Sequence, residues 1–182
     1  NIKATVNVSV EASYFQPMNT PEFADGPTFM RTYNEAQQAR SATVITPRYS
    51  DEIIAATESG INPYVYPNVD WYDMIFRSGN YNQRANVNVS GGASRVTYYM
   101  SLQANHDTGL LNAADNSAFN PNINHWEYNF QNNISYKLTN TTTVNLRMMA
   151  QIGSQKGPNN KTTDIYKKVM YANPVSFPAY FP

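Results

Sequence analysis

A group of aromatic and polar residues between positions 64 and 72 is the part of the sequence best suited to binding chemistry. Tyrosine and tryptophan rings can stack on sugars or pack against peptides, and neighbouring carboxylates or amides can bind polar groups. The candidate residues that would face a substrate or partner are Tyr64, Tyr66, Asn68, Asp70, Trp71 and Tyr72. A simpler interpretation is favoured for the central triplet: Asp70 caps a short helix, and the rings hold the loop together.

Two further groups suggest catalysis or metal binding, and both signals are weak. Asp107-Thr108-Gly109 matches the triplet in which two carboxylates of aspartic proteases share a proton, but the sequence contains a single copy. A turn that ends a strand is the favoured interpretation. His106 and His125, with Asp107 and Glu127 nearby, lack the spacing of a metal site. The sequence therefore predicts no catalytic residue, metal ligand or cofactor, and we expect no enzymatic activity.

The composition narrows the class of protein. The 182 residues are 41% hydrophobic and 14% charged, with zero formal net charge and no cysteine. Without cysteine there are no disulfides or thiolate metal sites, and neutrality argues against a nucleic-acid partner. Abundant Asn and Tyr, with little Leu, Lys and Glu, favour strands and polar loops over helical bundles. The sequence begins within a strand pattern and ends within a loop pattern, so we expect a piece of a longer protein.

Five segments alternate apolar and polar residues with a period of two, which is the signature of half-buried strands. The predicted strands cover 2–15, 82–91, 94–107, 126–138 and 142–153. The first alternates from Ile2 to Tyr14, which is longer than the usual strand of a soluble protein, about five or six residues. The charged residues of all five lie on the polar phase. Between the second and third strands, Gly91 and Gly92 are predicted to supply the positive φ of a tight hairpin turn.

The connections carry the predicted helices. The loops cover 16–81, 108–125 and 154–182, and the turns between the remaining strands are short. Helices are predicted from about Pro27 to Arg40, between Ser50 and Gly60, between Asp70 and Gly79, and over 163–172.

Every long connection falls at the same end of the predicted sheet. Short turns at one end and long loops at the other are typical of outer-membrane β-barrels. The predicted fold is therefore all-β: about five long strands of a large antiparallel transmembrane β-barrel, with short helices in long extracellular loops.

Four motifs resemble a known family. They are DWYDMIF at 70–76, VSGGASRVTYYMSL at 89–102, DTGLL at 107–111 and the tail NPVSFPAYFP. Together they resemble the early barrel region of the SusC/RagA-type TonB-dependent outer-membrane transporters, and the likeness extends over most of the chain. The structural residues of the family motifs are Asp70, Trp71, Gly91, Gly92, Tyr98, Tyr99 and Gly109.

The resemblance implies a function that the composition alone does not indicate. It implies that residues 1–182 belong to one TonB-dependent receptor barrel domain in the bacterial outer membrane, whose plug and remaining strands lie outside this sequence. The transporter would import oligosaccharides or peptides with a SusD-like surface lipoprotein. The TonB energy complex would act through the missing N-terminal part, and outer-membrane lipid would surround the barrel. A soluble β-sandwich that binds carbohydrate through its tyrosines remains the alternative.

Overall fold

The computed structural model describes residues 2–112 and 120–181, and its main element is one five-stranded antiparallel sheet. The strands lie side by side in chain order: β1 (Ile2–Phe15), β2 (Asn80–Ala93), β3 (Val96–Thr108), β4 (Asn124–Lys137) and β5 (Thr143–Lys156). All five predicted strands are present, with ends that differ by at most three residues from the prediction. Of the predicted loop 108–125, residues 113–119 lie outside the described part of the chain.

The strand register places apolar and polar residues on opposite faces, as the alternation predicts. Across the middle of the sheet, one row of paired residues is Val8, Val87, Leu102, Phe130 and Ala150. The neighbouring row on the other face is Ser9, Asn86, Gln103, Asn129 and Gln151. We refer to these two sides as the apolar face and the polar face.

The apolar face is largely uncovered. Val10 is 76% exposed, Val8 is 66% exposed and Ile152 is 68% exposed. Among the described residues, the buried hydrophobic side chains are Met30, Ile54, Leu111 and Val169, and none of them lies in a strand of the sheet. The sheet therefore has an extended apolar surface but no hydrophobic core of its own within the described chain.

The predicted glycine turn is wrong. Gly91 and Gly92 lie inside β2, and the turn is formed by Ser94 and Arg95. Among the described residues, only Gly60 has a positive φ, of 63°. The glycines are instead explained by close packing: a Cβ on Gly91 would lie 2.5 Å from the hydroxyl oxygen of Tyr98, which faces it on β3.

The alternation predicted for β1 is also interrupted. The pairing with β2 shifts by one residue between Ile2 and Thr5, which is a β-bulge. From Thr5 to Phe15 the register is continuous. The strict period of two therefore holds for the larger part of the strand and ends at the bulge.

The helices form in the predicted places because their capping residues are local signals. They are α1 (Gly26–Ala39), α2 (Asp51–Ser59), α3 (Trp71–Ile75) and α4 (Thr162–Met170). Ser50 caps α2, whose C-cap Gly60 is left-handed. The predicted end of α3 at Gly79 is wrong, because Phe76 already has an extended backbone with φ −114° and ψ 141°. No helix in ranges 2–112 and 120–181 is both long and apolar enough to cross a membrane.

The chain divides into two compact units. The first contains the sheet and comprises residues up to Pro17 together with Arg77–Asn159. The second, which we call the helical unit, comprises Met18–Phe76 and the described residues from Asn160 onward. It contains the four helices of the described chain and all six residues proposed above as substrate- or partner-facing.

Candidate functional site

The segment that carries the candidate residues is fixed to two other parts of the helical unit. The backbone N–H of Gly26 donates to Asn68 Oδ1 at 2.7 Å. The N–H of Val69 donates to the carbonyl oxygen of Pro174 at 3.0 Å. Since residues 26, 69 and 174 are far apart in sequence, these bonds join three pieces of chain into one wall.

Asp70 and Trp71 have structural roles that the geometry makes plain. Asp70 Oδ1 accepts hydrogen bonds from the N–H groups of Tyr72, at 2.9 Å, and Asp73, at 3.1 Å, which caps α3. The Trp71 indole N–H donates to the carbonyl oxygen of Asn173 at 3.0 Å, and its ring packs on Phe177. The helix cap favoured from the sequence is therefore present.

Tyr72 lies in an aromatic cluster. Its ring centroid is 5.1 Å from that of Phe76 and 6.2 Å from that of Phe23. Burial raises the pKa of the Tyr72 phenol above its ordinary value, and Tyr166 and Asp73 act in the same direction. The hydroxyl therefore stays protonated at neutral pH and is able to donate a hydrogen bond.

Two cavities flank this segment, and together they bring most of the candidate residues to accessible surfaces. The first, of about 620 Å³, is lined by Asn68, Asp70, Trp71 and Tyr72. The second, of about 350 Å³, is lined by Tyr64 and again by Asn68 and Asp70. Tyr66 lines neither cavity.

Sequence reasoning missed most of each lining. In the first cavity the missed charged residue is Asp25, the N-cap of α1, which lies more than forty positions from Asp70. In the second it is Tyr180, which is 51% exposed, like Tyr64 at 52%. Asp25 could have been noticed as the capping residue before Pro27. The pairing of Tyr64 with Tyr180 has no local signal.

The remaining motif residues lie in the first unit, which contains the sheet. Tyr98 covers Gly91 on the apolar face, whereas Tyr99 lies on the polar face opposite Ser90 and Asn133. Gly109 follows the end of β3 and packs against Asn122, whose amide donates to the Gly109 carbonyl at 3.0 Å.

That contact explains Gly109, because a Cβ there would lie 2.6 Å from Asn122 Oδ1. β3 ends at Thr108, as expected for Asp107-Thr108-Gly109, and the Gly109 N–H donates to the carbonyl oxygen of Ile123 at 3.0 Å.

The two histidines lie in neighbouring strands and point to opposite faces. His106 pairs with Trp126 on the apolar face and stacks on it at 4.1 Å between ring centroids. His125 lies on the polar face, with Nε2 3.9 Å from a carboxylate oxygen of Glu127. No group of three or more His, Cys, Asp or Glu side chains in the described chain is arranged to hold a metal ion.

Glu127 is the centre of a hydrogen-bonded network on the polar face. Its carboxylate accepts from Asn129 at 2.7 Å, from Gln151 at 2.7 Å and from Asn105 at 3.3 Å. These bonds connect β3, β4 and β5. The polar face thus carries amides and hydroxyls together with charged side chains, including the cross-strand pair Glu11 and Arg84.

Aromatic residues form two rows across the apolar face. The row far from the short turns contains Tyr14, Tyr81, Trp126 and Tyr128, and the row near them contains Tyr98 and Tyr136. Tyr14 and Tyr81 lie 5.0 Å apart, and Trp126 stacks near Tyr128 at 6.0 Å. Between the rows this face carries no Asp, Glu, Lys or Arg among the described residues.

Comparison of the chain with protein-family models, with curated proteins and with solved structures finds no match.

Proposed function

We propose that this chain is part of the wall of a transmembrane β-barrel in the bacterial outer membrane. The observation that carries the proposal is the uncovered apolar face, which extends over five strands without a charge between its two aromatic rows. In water such a surface would be a severe aggregation hazard, whereas in lipid it is the expected exterior of a barrel. The polar face would line the lumen, and the helix-bearing loops would be extracellular.

The spacing of the aromatic rows fits a membrane. Trp126 and Tyr136 are ten positions apart in β4. At about 3.4 Å per residue they are separated by about 34 Å along the strand. A tilt of about 40° reduces this to about 26 Å along the membrane normal, close to the apolar band of about 25 Å in outer-membrane barrels.

The edges of the sheet support a larger assembly. Within the described chain, β1 pairs only with β2, and β5 pairs only with β4. Each outer strand therefore presents unpaired backbone groups, which are not tolerated in contact with lipid. Further strands on both sides would complete the barrel.

We infer from the sequence motifs that the barrel is a SusC/RagA-type TonB-dependent transporter. It would import oligosaccharides or peptides together with a SusD-like surface lipoprotein and draw energy from the TonB complex. Tyr64 and Tyr180 support a role in substrate contact, because both rings are half-exposed beside one cavity. Stacking on such rings suits either class of substrate.

The test combines membrane fractionation with labelling at adjacent positions. These 182 residues contain no native cysteine. The separate substitutions Leu102→Cys and Gln103→Cys therefore each place one spin label in this part of the protein, on opposite faces of β3. We expect the protein in detergent-extracted outer membranes, with the label at 102 accessible to lipid-dissolved oxygen and the label at 103 inaccessible. A water-soluble protein, or equal lipid access at both positions, would overturn the proposal.

The same experiment addresses the carbohydrate-binding sandwich. A sandwich requires a second sheet packed on the apolar face. The described residues form a single sheet, so that second sheet would have to come from elsewhere. Recovery as a soluble protein would favour this alternative, and the surface around Tyr64 and Tyr180 would then be screened against glycans.

A further inference from the structure

The larger cavity of the helical unit combines aromatic walls with negative charge. Its volume is about 620 Å³, which is ample for an amino-acid side chain or a small peptide segment. Five aromatic residues contribute to its lining: Phe23, Phe29, Trp71, Tyr72 and Tyr171. Such rings attract cations through their negative faces as well as burying apolar groups.

The charged lining residues are all acidic. Asp25 and Asp70 line the cavity, and no Lys, Arg or His does. In both residues the Oδ1 atom is held by a helix cap, accepting from Thr28 at 2.9 Å in one case and from Tyr72 at 2.9 Å in the other. Those bonds hold both carboxylates in place in the cavity wall.

A third source of negative potential is the carboxyl end of α4. Val169, Met170 and the C-cap residue Tyr171 all belong to the cavity wall. The end of a helix carries a partial negative charge of roughly half an elementary charge. Lys167 and Lys168 lie in the same last turn, but neither lines the cavity.

The basic residue that acts on Asp25 is already engaged in an ion pair. Arg31 acts electrostatically on Asp25, but its guanidinium forms an ion pair with Glu58 at 2.8 Å. The N-terminal dipole of α1 is likewise compensated by the Asp25 cap itself. The cavity thus has acidic and aromatic walls without a cation of its own in the lining.

We propose that this cavity binds an organic cation carried on an apolar stem: an arginine or lysine side chain, or the amino terminus, of a peptide. The cationic head would contact the Asp25 and Asp70 carboxylates, and the stem would lie against the aromatic rings. An anionic ligand would be repelled by both carboxylates. A neutral sugar would gain stacking but would leave the negative potential uncompensated. The inference concerns the helical unit alone and does not require the sheet to be a barrel wall.

The test compares two probes that differ in charge but have nearly the same shape. The probes are N-acetyl-arginine methylamide and N-acetyl-citrulline methylamide, measured by calorimetry on the complete purified protein. Loss of a charge-assisted hydrogen bond weakens binding by about tenfold or more, so we expect the citrulline probe to bind at least about tenfold more weakly. Maltotriose, a neutral sugar, should show no competition.

The matched variants are chosen to preserve folding. The double variant Asp25→Asn/Asp70→Asn removes both charges but keeps capping side chains, since Asn is as good an N-cap as Asp. We expect it to lose the preference for arginine over citrulline. Asp51→Asn/Asp164→Asn removes two first-turn acidic residues of other helices that line neither cavity, and should bind like the parent.

Three results would overturn the inference. They are equal binding of the arginine and citrulline probes, an unchanged preference in the Asp25→Asn/Asp70→Asn variant, and absence of arginine binding by protein whose melting temperature is normal. Competition by maltotriose would assign the cavity to neutral sugars instead. None of these results bears on membrane fractionation, so failure of this site and failure of the barrel proposal are distinguishable.

Discussion

Replacing Val87 with arginine is the sharpest perturbation of the apolar face. Val87 lies in the central row of the sheet, paired with Val8 on one side and Leu102 on the other. It is six positions from Tyr81 and six from the end of β2 at Ala93. At about 3.4 Å per residue this is about 20 Å in each direction, or about 15 Å along the normal at a 40° tilt. Val87 would therefore lie at the centre of a hydrocarbon core about 30 Å thick.

The depth of Val87 in the membrane sets the expected loss of stability. An arginine on the lipid face at mid-membrane destabilises a barrel by about 2–4 kcal/mol, which lowers the ratio of folded to unfolded protein about 30- to 700-fold. The side chain is 41% exposed in the sheet. In water, arginine at a site this accessible would have a much smaller effect, close to the range of ordinary surface substitutions. The solvent, rather than the local packing, accounts for the difference between the two expectations.

The assay is urea titration of the complete protein folded into lipid vesicles, combined with its yield in outer membranes. Two controls isolate the cause. Asn88→Arg places the same charge on the adjacent polar-face position, and Ala93→Arg places it on the apolar face beside the turn, where the penalty falls to about 0–1 kcal/mol. If Val87→Arg folds as well as both controls, this face does not meet lipid and the barrel interpretation is wrong.

Further substitutions test two local features, the Asp25 helix cap and the packing of Tyr98 on Gly91. Hydrogen bonds from the side chain and then the backbone N–H of Thr28 lower the pKa of Asp25 below 3.8. The Asp25 cap is therefore fully formed above pH 3.8 and is lost as the pH falls through the lowered pKa. Amide hydrogen exchange in α1 should report this loss of the cap. The Asp25→Asn substitution should abolish the pH dependence. Gly91→Ala should destabilise the sheet by about 1–3 kcal/mol in urea titration, and Tyr98→Leu should relieve part of that effect. If the effects of Gly91→Ala and Tyr98→Leu on the free energy of unfolding were strictly additive, Tyr98 would not be the residue that limits the space at Gly91.

The parts of the fold that the sequence predicts are those with local causes. A period of two identifies each strand and its two faces, because side chains of a strand alternate between faces whatever lies beyond it. Ser50 and Gly60 delimit α2 for a similar reason, since a cap involves only the first or last turn. These features need no knowledge of distant residues.

The errors arise where one residue type has two physical uses. Glycine is suited to positive φ, and it is equally suited to places where a Cβ has no room. Gly91 and Gly92 belong to the second class, but the distinction depends on Tyr98 and Val96 across the hairpin. The bulge at the start of β1 is likewise set by its pairing with β2, and its own residues alternate without a break.

The candidate site could be predicted from the sequence only in part, because it also depends on distant residues. Asn68, Asp70, Trp71 and Tyr72 are recognisable from one short stretch, but the cavity also needs α1 and the end of α4, about a hundred positions later. Only the folded chain shows that Asp25 and Asp70 line one space.

The structural and functional interpretations of Asp70 are therefore not competitors. A helix cap holds one oxygen of the carboxylate in place, and the residue so restrained also lines the cavity. Asp25 is held in the same way by α1. A residue explained completely by its cap can still bind a ligand, and it does so with less ordering cost than a mobile side chain.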